Sequence, residues 1–151
     1  TVVGPSDTTT TDFSSYRNDS GVSVRKGFEI SGTHALSDTA NLQGNYSYVD
    51  ARDASGDALS RVPRHTLEVG IETAISDKWA TTWNARFIAG RPDDSDPQAN
   101  YVVVNGNFNY TISDDAQAFL RIENVLNEEY QTINGYGTSD RAVYFGIRGE
   151  F

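Results

Sequence analysis

The chain has 151 residues, a formal net charge of −9, and neither cysteine nor methionine, a length that ordinarily makes one domain. The acidic balance excludes a nucleic-acid partner, which needs a clustered basic face. The lack of cysteine excludes a disulfide framework and any thiolate zinc site, and no apolar run approaches the ~18 residues of a membrane-spanning helix.

Residues 1–11, TVVGPSDTTTT, carry no basic n-region and no apolar core, so they are not a signal peptide. Residues 1–20 read as a loop and strand lead-in, as if the chain began inside a larger protein. Seven strand-like segments follow, at 21–36, 39–51, 63–75, 78–90, 100–112, 116–126 and 141–151. They exceed the about 5–6 residues usual in globular sheets and meet the about 9–11 that a tilted strand needs to cross hydrocarbon. Pro63 opens a strand, and Pro5, Pro92 and Pro97 fall in loops, where a missing N–H does least harm. No helix pattern with caps occurs.

The connections alternate in kind. One short turn is written three times, as Leu36-Ser37-Asp38-Thr39, Ile75-Ser76-Asp77-Lys78 and Ile112-Ser113-Asp114-Asp115, with 39 and then 37 residues between the serines. Between the copies lie longer loops near 50–62, 91–100 and 127–140, rich in Asp, Asn, Gly and Ser. Short turn, strand, long loop, strand is the wiring of an up-and-down antiparallel sheet. In transmembrane β-barrels the short turns face the periplasm and the long loops face outside.

Parity sharpens this expectation. One parity carries Phe28, Ile30, Leu42, Tyr46, Tyr48, Leu67, Val69, Ile71, Trp79, Trp83, Phe87, Val102, Val104, Phe108, Tyr110, Leu120, Ile122, Val143, Phe145, Ile147 and Phe151. The other holds the charges well inside strands: Glu29, Glu68, Glu72, Arg86, Arg121, Glu123, Arg148 and Glu150, with many Asn and Gln. An Arg or Lys on lipid costs about 2–4 kcal/mol at mid-membrane, so a bilayer enforces such segregation. Trp79, Tyr110 and Phe151 near the short turns, and Phe28, Tyr46, Tyr48 and Phe87 toward the loops, suit the two interfacial girdles. His34 is the awkward residue of the apolar parity, close to the Ser37 turn. A half-buried sheet of a soluble protein also alternates, but nothing in the chain is left to cover its apolar face.

Lys26-Gly27-Phe28-Glu29, with Tyr16-Arg17-Asn18 upstream, resembles a strand pattern of the TonB-dependent outer-membrane receptors. Tyr46-Ser47-Tyr48-Val49-Asp50-Ala51, Arg61-Val62-Pro63-Arg64-His65 and Asn124-Val125-Leu126-Asn127-Glu128-Glu129-Tyr130 are similar to later segments of that family, in the family's order. The loop Tyr130-Gln131-Thr132 to Gly135-Tyr136-Gly137-Thr138 and Arg141 resembles the vitamin B12 receptor type more than the siderophore type.

The resemblance implies an all-β, up-and-down antiparallel transmembrane barrel, of which residues 21–151 would be the C-terminal seven or so strands of a larger, twenty-two-stranded wall. It implies uptake of a scarce small-molecule ligand, a corrinoid or a ferric siderophore. The expected partners are the rest of the barrel and its plug, TonB acting through that plug, lipid and lipopolysaccharide. The outer-membrane insertion machinery would read the terminal Phe151. The N-terminus would lie in an outer loop and the C-terminus at the periplasmic rim. Gly27, Glu29, Asn124, Tyr130, Arg141 and Phe151 are the motif positions, expected to build wall rather than to touch ligand.

No catalytic, cofactor-binding or metal-binding set is expected. His34 and His65 match no zinc spacing. Glu68 and Glu72 sit about 13–14 Å apart along one strand face, too far for a retaining glycosidase pair. Asp93-Asp94-Ser95-Asp96 offers hard oxygens that suit calcium but lacks a regular loop spacing, so a solvated acidic loop is the simpler reading. Two other classes stand beside the receptor reading: a small complete barrel, which needs an even strand number, and a soluble β-sheet binding module.

Overall fold

A computed structural model of the chain describes residues 21–93 and 98–149. The expectations for residues 1–20, for 94–96 of the acidic run, and for Glu150 and Phe151 lie outside the described residues.

Seven strands form one sheet: β1 (Val24–Ser37), β2 (Ala40–Arg52), β3 (His65–Ala74), β4 (Trp79–Ala89), β5 (Tyr101–Ser113), β6 (Ala116–Glu123) and β7 (Ala142–Gly149). They lie in chain order, and every neighbouring pair is antiparallel. The three Ser-Asp turns therefore join β1 to β2, β3 to β4 and β5 to β6 along one edge, as the repeat requires. The repeat has a chemical cause. The Ser37 hydroxyl accepts from the Thr39 amide at 3.2 Å, and the Ser76 hydroxyl accepts from the amides of Lys78 and Trp79 at 3.4 and 3.2 Å. In these two turns the serine satisfies amide donors that the ladder leaves over. In the first and third turns the register also slips, between Ala35 and Ser37 and between Thr111 and Ser113, so the ladder ends at the serine.

Directly paired residues share a face, so the register decides the two sides of the sheet. Phe28 opposes Tyr48, Tyr46 opposes Leu67, and Leu67 opposes Phe87. The row continues through Phe87 and Val102, Phe108 and Leu120, Leu120 and Phe145. The other side is a polar row: Glu29 with Ser47, Asn45 with Glu68, Glu68 with Arg86, Asn84 with Asn105, Asn107 with Arg121 and Gln117 with Arg148. Glu72 and Glu123 fall on this polar side as well, opposite Asn41 and Ala142. A one-residue slip in any strand would have carried its charges across.

The apolar side carries no second layer among the described residues. Phe145 is 86 % exposed, Ile147 74 % and Ile30 65 %, against the near-zero values of a globular core. Burial is instead concentrated at the long-loop end, at Ala51, Ile88, Ala89, Arg91, Tyr101 and Asn124. A fold that leaves its aromatic face bare and buries arginine and asparagine under loops is built for a solvent other than water.

Several expectations need correction. β1 begins at Val24 rather than 21, and β3 begins at His65, two residues after Pro63. β6 ends at Glu123 rather than 126 because Asn124 turns to φ 49°. The Val125 amide then bonds back to the Val104 carbonyl at 2.7 Å. His34 is not alone on the apolar side: His65 shares it, opposite Tyr48 and Ala89, with the Tyr46 hydroxyl 2.9 Å from its Nδ1. The polar side also takes aromatic rings, Phe119 and Tyr144, opposite Gly146 and Arg121. A Cβ on Gly146 would stand 2.8 Å from the Phe119 ring, so the glycine leaves room for the ring to lie across the strand. The Arg121 guanidinium covers Tyr144 at 4.5 Å.

Candidate binding site at the long-loop end

The polar side holds a shallow groove of about 570 Å³ floored by Gly70 and lined by Gln43, Asn45, Glu68, Asn84, Arg86 and Asn105. Its one ion pair, Arg86 Nε to Glu68 Oε1 at 3.2 Å, is more than half exposed. Four of its lining side chains, Gln43, Asn45, Asn84 and Asn105, are amides, which donate and accept without charge. Such a groove suits a folded polar surface better than a small charged ligand.

At the loop end hydrogen bonds tie the long loops to one another. The loop from β2 to β3 turns on Asp53, whose Oδ1 accepts from the Ser55 and Asp57 amides, both at 2.9 Å. Gly56 supplies the φ of 90° that this tight reversal needs. The Arg61 amide, at φ 66°, then reaches across to the Pro92 carbonyl at 2.8 Å. This bond ties the first long loop to the second.

Arg91 ties the second loop to the third. Its Nη1 donates to the Thr132 carbonyl at 3.1 Å and its Nη2 to the Ala99 carbonyl at 3.3 Å. The guanidinium lies 4.9 Å from the centre of the Tyr101 ring, and Tyr130 stacks on the other ring's face at 4.4 Å between centroids. The residue is only 5 % exposed. A buried cation is costly unless well bonded. Here two carbonyls and an aromatic face supply part of that compensation.

The third loop is organised by Asn124, itself 4 % exposed. Its Nδ2 donates to the Glu128 carbonyl at 3.0 Å and to the Ser139 carbonyl at 3.3 Å, while its Oδ1 accepts from the Glu128 amide at 2.9 Å. One side chain thus pins both ends of the loop. Asn127, at φ 54°, repeats the device by accepting from the Arg141 amide at 3.0 Å. Asparagine is the residue besides glycine that enters the left-handed region most readily.

The motif positions now have places. Gly27 faces the Tyr48 carbonyl so closely that a Cβ would stand 2.1 Å from its oxygen. Glu29 accepts from Asn45 Nδ2 at 2.8 Å on the polar side. Asn124, Tyr130 and Arg141 all fall in the third loop, far along the chain from Gly27 and Glu29, while Phe151 is outside the described residues. Arg91 and Tyr101 were missed in the sequence. The only available signal was the arginine at the start of a polar loop with a tyrosine ten residues later.

Between the second and third loops lies a pocket of about 580 Å³, lined among others by Arg91, Tyr101, Glu128, Glu129, Tyr130 and Asp140. The family model "TonB dependent receptor-like, beta-barrel" matches residues 1–125. The chain belongs to this family. It is 29 % identical, over 145 residues, to the vitamin B12 transporter BtuB of Vibrio cholerae serotype O1, an alignment covering 90 % of this chain and 23 % of the transporter. It superposes on the ferripyoverdine receptor of the Pseudomonas aeruginosa outer membrane with a TM-score of 0.72 at 22 % identity, covering 85 % of this chain and 20 % of the receptor. The ferric-catecholate import receptor Fiu of E. coli K12, in its closed form, gives 0.71 at 19 % identity, over 85 % and 21 % of the two chains. The last two likenesses speak for the fold alone. The chain spans about a quarter of the length of the curated relatives it matches. Its sheet is accordingly a TonB-dependent receptor barrel wall.

Proposed function

We propose that this chain supplies wall and outer loops to an outer-membrane receptor that imports a scarce, large nutrient by TonB-driven transport. A corrinoid of the vitamin B12 kind is the first choice of ligand and a ferric siderophore the second. The observation that carries the proposal is the pairing of a bare aromatic face with a polar face whose loops fold over one end. Lipid covers the first, and the second lines a lumen where water, a plug and ligand meet. In hydrocarbon every backbone donor must be paired, so the free edges of β1 and β7 pair with further strands of a larger barrel. The amide groove centred on Gly70 faces the plug, and the loop end faces outward, with the Ser-Asp turns in the periplasm. On this reading Gly27, Glu29 and Asn124 are architectural, and Phe151 addresses the insertion machinery. The 29 % identity to a B12 transporter supports the corrinoid choice over the siderophore.

Uptake decides the matter. Cells carrying the full-length receptor should accumulate radiolabelled cyanocobalamin, and accumulation should cease when the proton gradient is collapsed or TonB is deleted. Uptake that persists without TonB would refute active import. Orientation is checked separately, with single cysteines at Ser55 and Asp77: an impermeant maleimide should label the first and spare the second in intact cells.

A further inference from the structure

We propose that a hollow on the apolar side, near the short-turn ends of β4, β5 and β6, seats one acyl chain of a phospholipid whose headgroup carries an amine. The proposal rests on the reading of that side as the lipid side and names the lipid that it prefers. Directly paired residues share a face, so Trp79, Tyr110, Ala118 and Ile147 form one row across four strands. Phe108, Leu120 and Phe145 belong to the next such row. All of these side chains are bulky except that of Ala118. Its methyl group leaves a hollow of about 370 Å³ walled by Trp79, Phe108, Tyr110 and Leu120, with the strand at Phe119 beneath. The Phe119 ring itself lies on the other side of the sheet, against Gly146.

Two arguments select the occupant. The first concerns shape. A lipid chain is as apolar as leucine, so packing rather than hydrophobic transfer decides what rests against a membrane wall. On a smooth wall a chain touches one surface. In this hollow it is also flanked, and it recovers dispersion contacts that an unfilled hollow forfeits. The Trp79 and Tyr110 rings, 4.6 Å apart between centroids, close the end nearer the turns. Each has an apolar body and a polar edge, the form that belongs where hydrocarbon meets headgroups. The second argument concerns charge. The two turns beside the hollow, residues 75–78 and 112–115, carry three aspartates, Asp77, Asp114 and Asp115, against one cation, Lys78. Asp114 follows Tyr110 by four positions and Asp115 precedes Ala118 by three, about 10–14 Å along the strands, beyond the aromatic pair and at headgroup level. An anionic headgroup is repelled there, whereas a headgroup amine donates to the carboxylates. Exposed charge pairs are weak and salt screens them, so the preference is about three- to five-fold.

The test uses the full-length receptor in vesicles of mixed phospholipids, doped with phosphatidylethanolamine or phosphatidylglycerol bearing a diazirine in one acyl chain. Labelled positions are read by tandem mass spectrometry after illumination. The phosphatidylethanolamine probe should label Trp79, Tyr110, Ala118 and Leu120 about three-fold or more above Phe145 and Ile147, which are more exposed members of the same rows. It should also label them about three-fold or more above the phosphatidylglycerol probe. A118F fills the hollow and should bring Trp79 and Leu120 down to the level of Phe145. D77N/D114N/D115N, in exposed turns, should equalise the two probes and leave the hollow labelled. Heat-modifiable migration checks folding; if A118F fails it, the exposure comparison and the aspartate variant decide. Labelling that follows exposure across the face, indifference of a folded A118F, or equal labelling by the two probes in the unaltered receptor would each overturn the proposal and leave the lipid-facing reading standing. Labelling at Asn107 and Arg121, on the opposite face, in place of the apolar side would remove that reading as well.

Discussion

Replacing Asn124 tests whether one side chain holds the third long loop in shape. Asn124→Ala removes two donated bonds and one accepted bond, in a site 4 % exposed. With about 1 kcal/mol for each buried bond, the side-chain loss is about 3 kcal/mol. The backbone adds to it, because alanine at φ 49° costs about 1–2 kcal/mol that asparagine and glycine largely escape. Asn124→Gly should therefore lose about 3 kcal/mol, and Asn124→Ala about 4–5. Asn124→Asp keeps the acceptor for the Glu128 amide but sets a carboxylate against two carbonyl oxygens, and should be at least as harmful as alanine. The assay is amide hydrogen exchange at Glu128 and Arg141 in the assembled receptor, with amides in mid-β5 as reference. At 1.4 kcal/mol per factor of ten, Asn124→Gly should speed exchange at Glu128 about a hundred-fold and leave β5 unchanged. Equal effects of glycine and alanine would refute the backbone argument. Unchanged exchange in all three variants would refute the clasp itself.

Three further outcomes follow from the sheet. Gly27→Ala should block assembly, because a Cβ 2.1 Å from the Tyr48 carbonyl separates β1 from β2; loss of the heat-modifiable band checks it, and normal assembly would contradict the close approach. Val69→Arg should cost about 2–4 kcal/mol of folding stability in lipid, whereas Asn84→Arg, on the opposite face, should cost under about 1; urea titration of the receptor in vesicles compares them, and equal costs would overturn the assignment of faces. Removing the half-exposed pair by Glu68→Gln and Arg86→Gln should show a coupling of at most about 1 kcal/mol in a double-mutant cycle, since solvent screens it; a larger coupling would mean that the groove is drier than the sheet suggests.

Local chemistry with a strict period was legible in the sequence. Strand parity assigned seven of the eight named charges to one face, because side chains in a strand alternate whatever the neighbours do, and Glu150 lies outside the described residues. The Ser-Asp turns could be placed because a hydroxyl capping its own turn needs no partner from elsewhere. With those turns placed, chain-order pairing followed, and with it the wall. The end of β6 was misjudged because Asn124 leaves the strand at φ 49°, a conformation that no periodicity announces. His65 and Tyr144 look out of place by residue type, and each is settled by a side chain on the adjacent strand, the Tyr46 and Tyr48 rings for the first and the Arg121 guanidinium for the second. The pocket was wholly a tertiary result. Arg91, Tyr101, Tyr130 and Thr132 are separated by up to 41 positions, and no periodicity relates a loop to the loop that folds against it. Sequence patterning decides which way a strand faces; only the closing of one loop on another decides that Arg91 is buried between them, bonded to the carbonyls of Ala99 and Thr132.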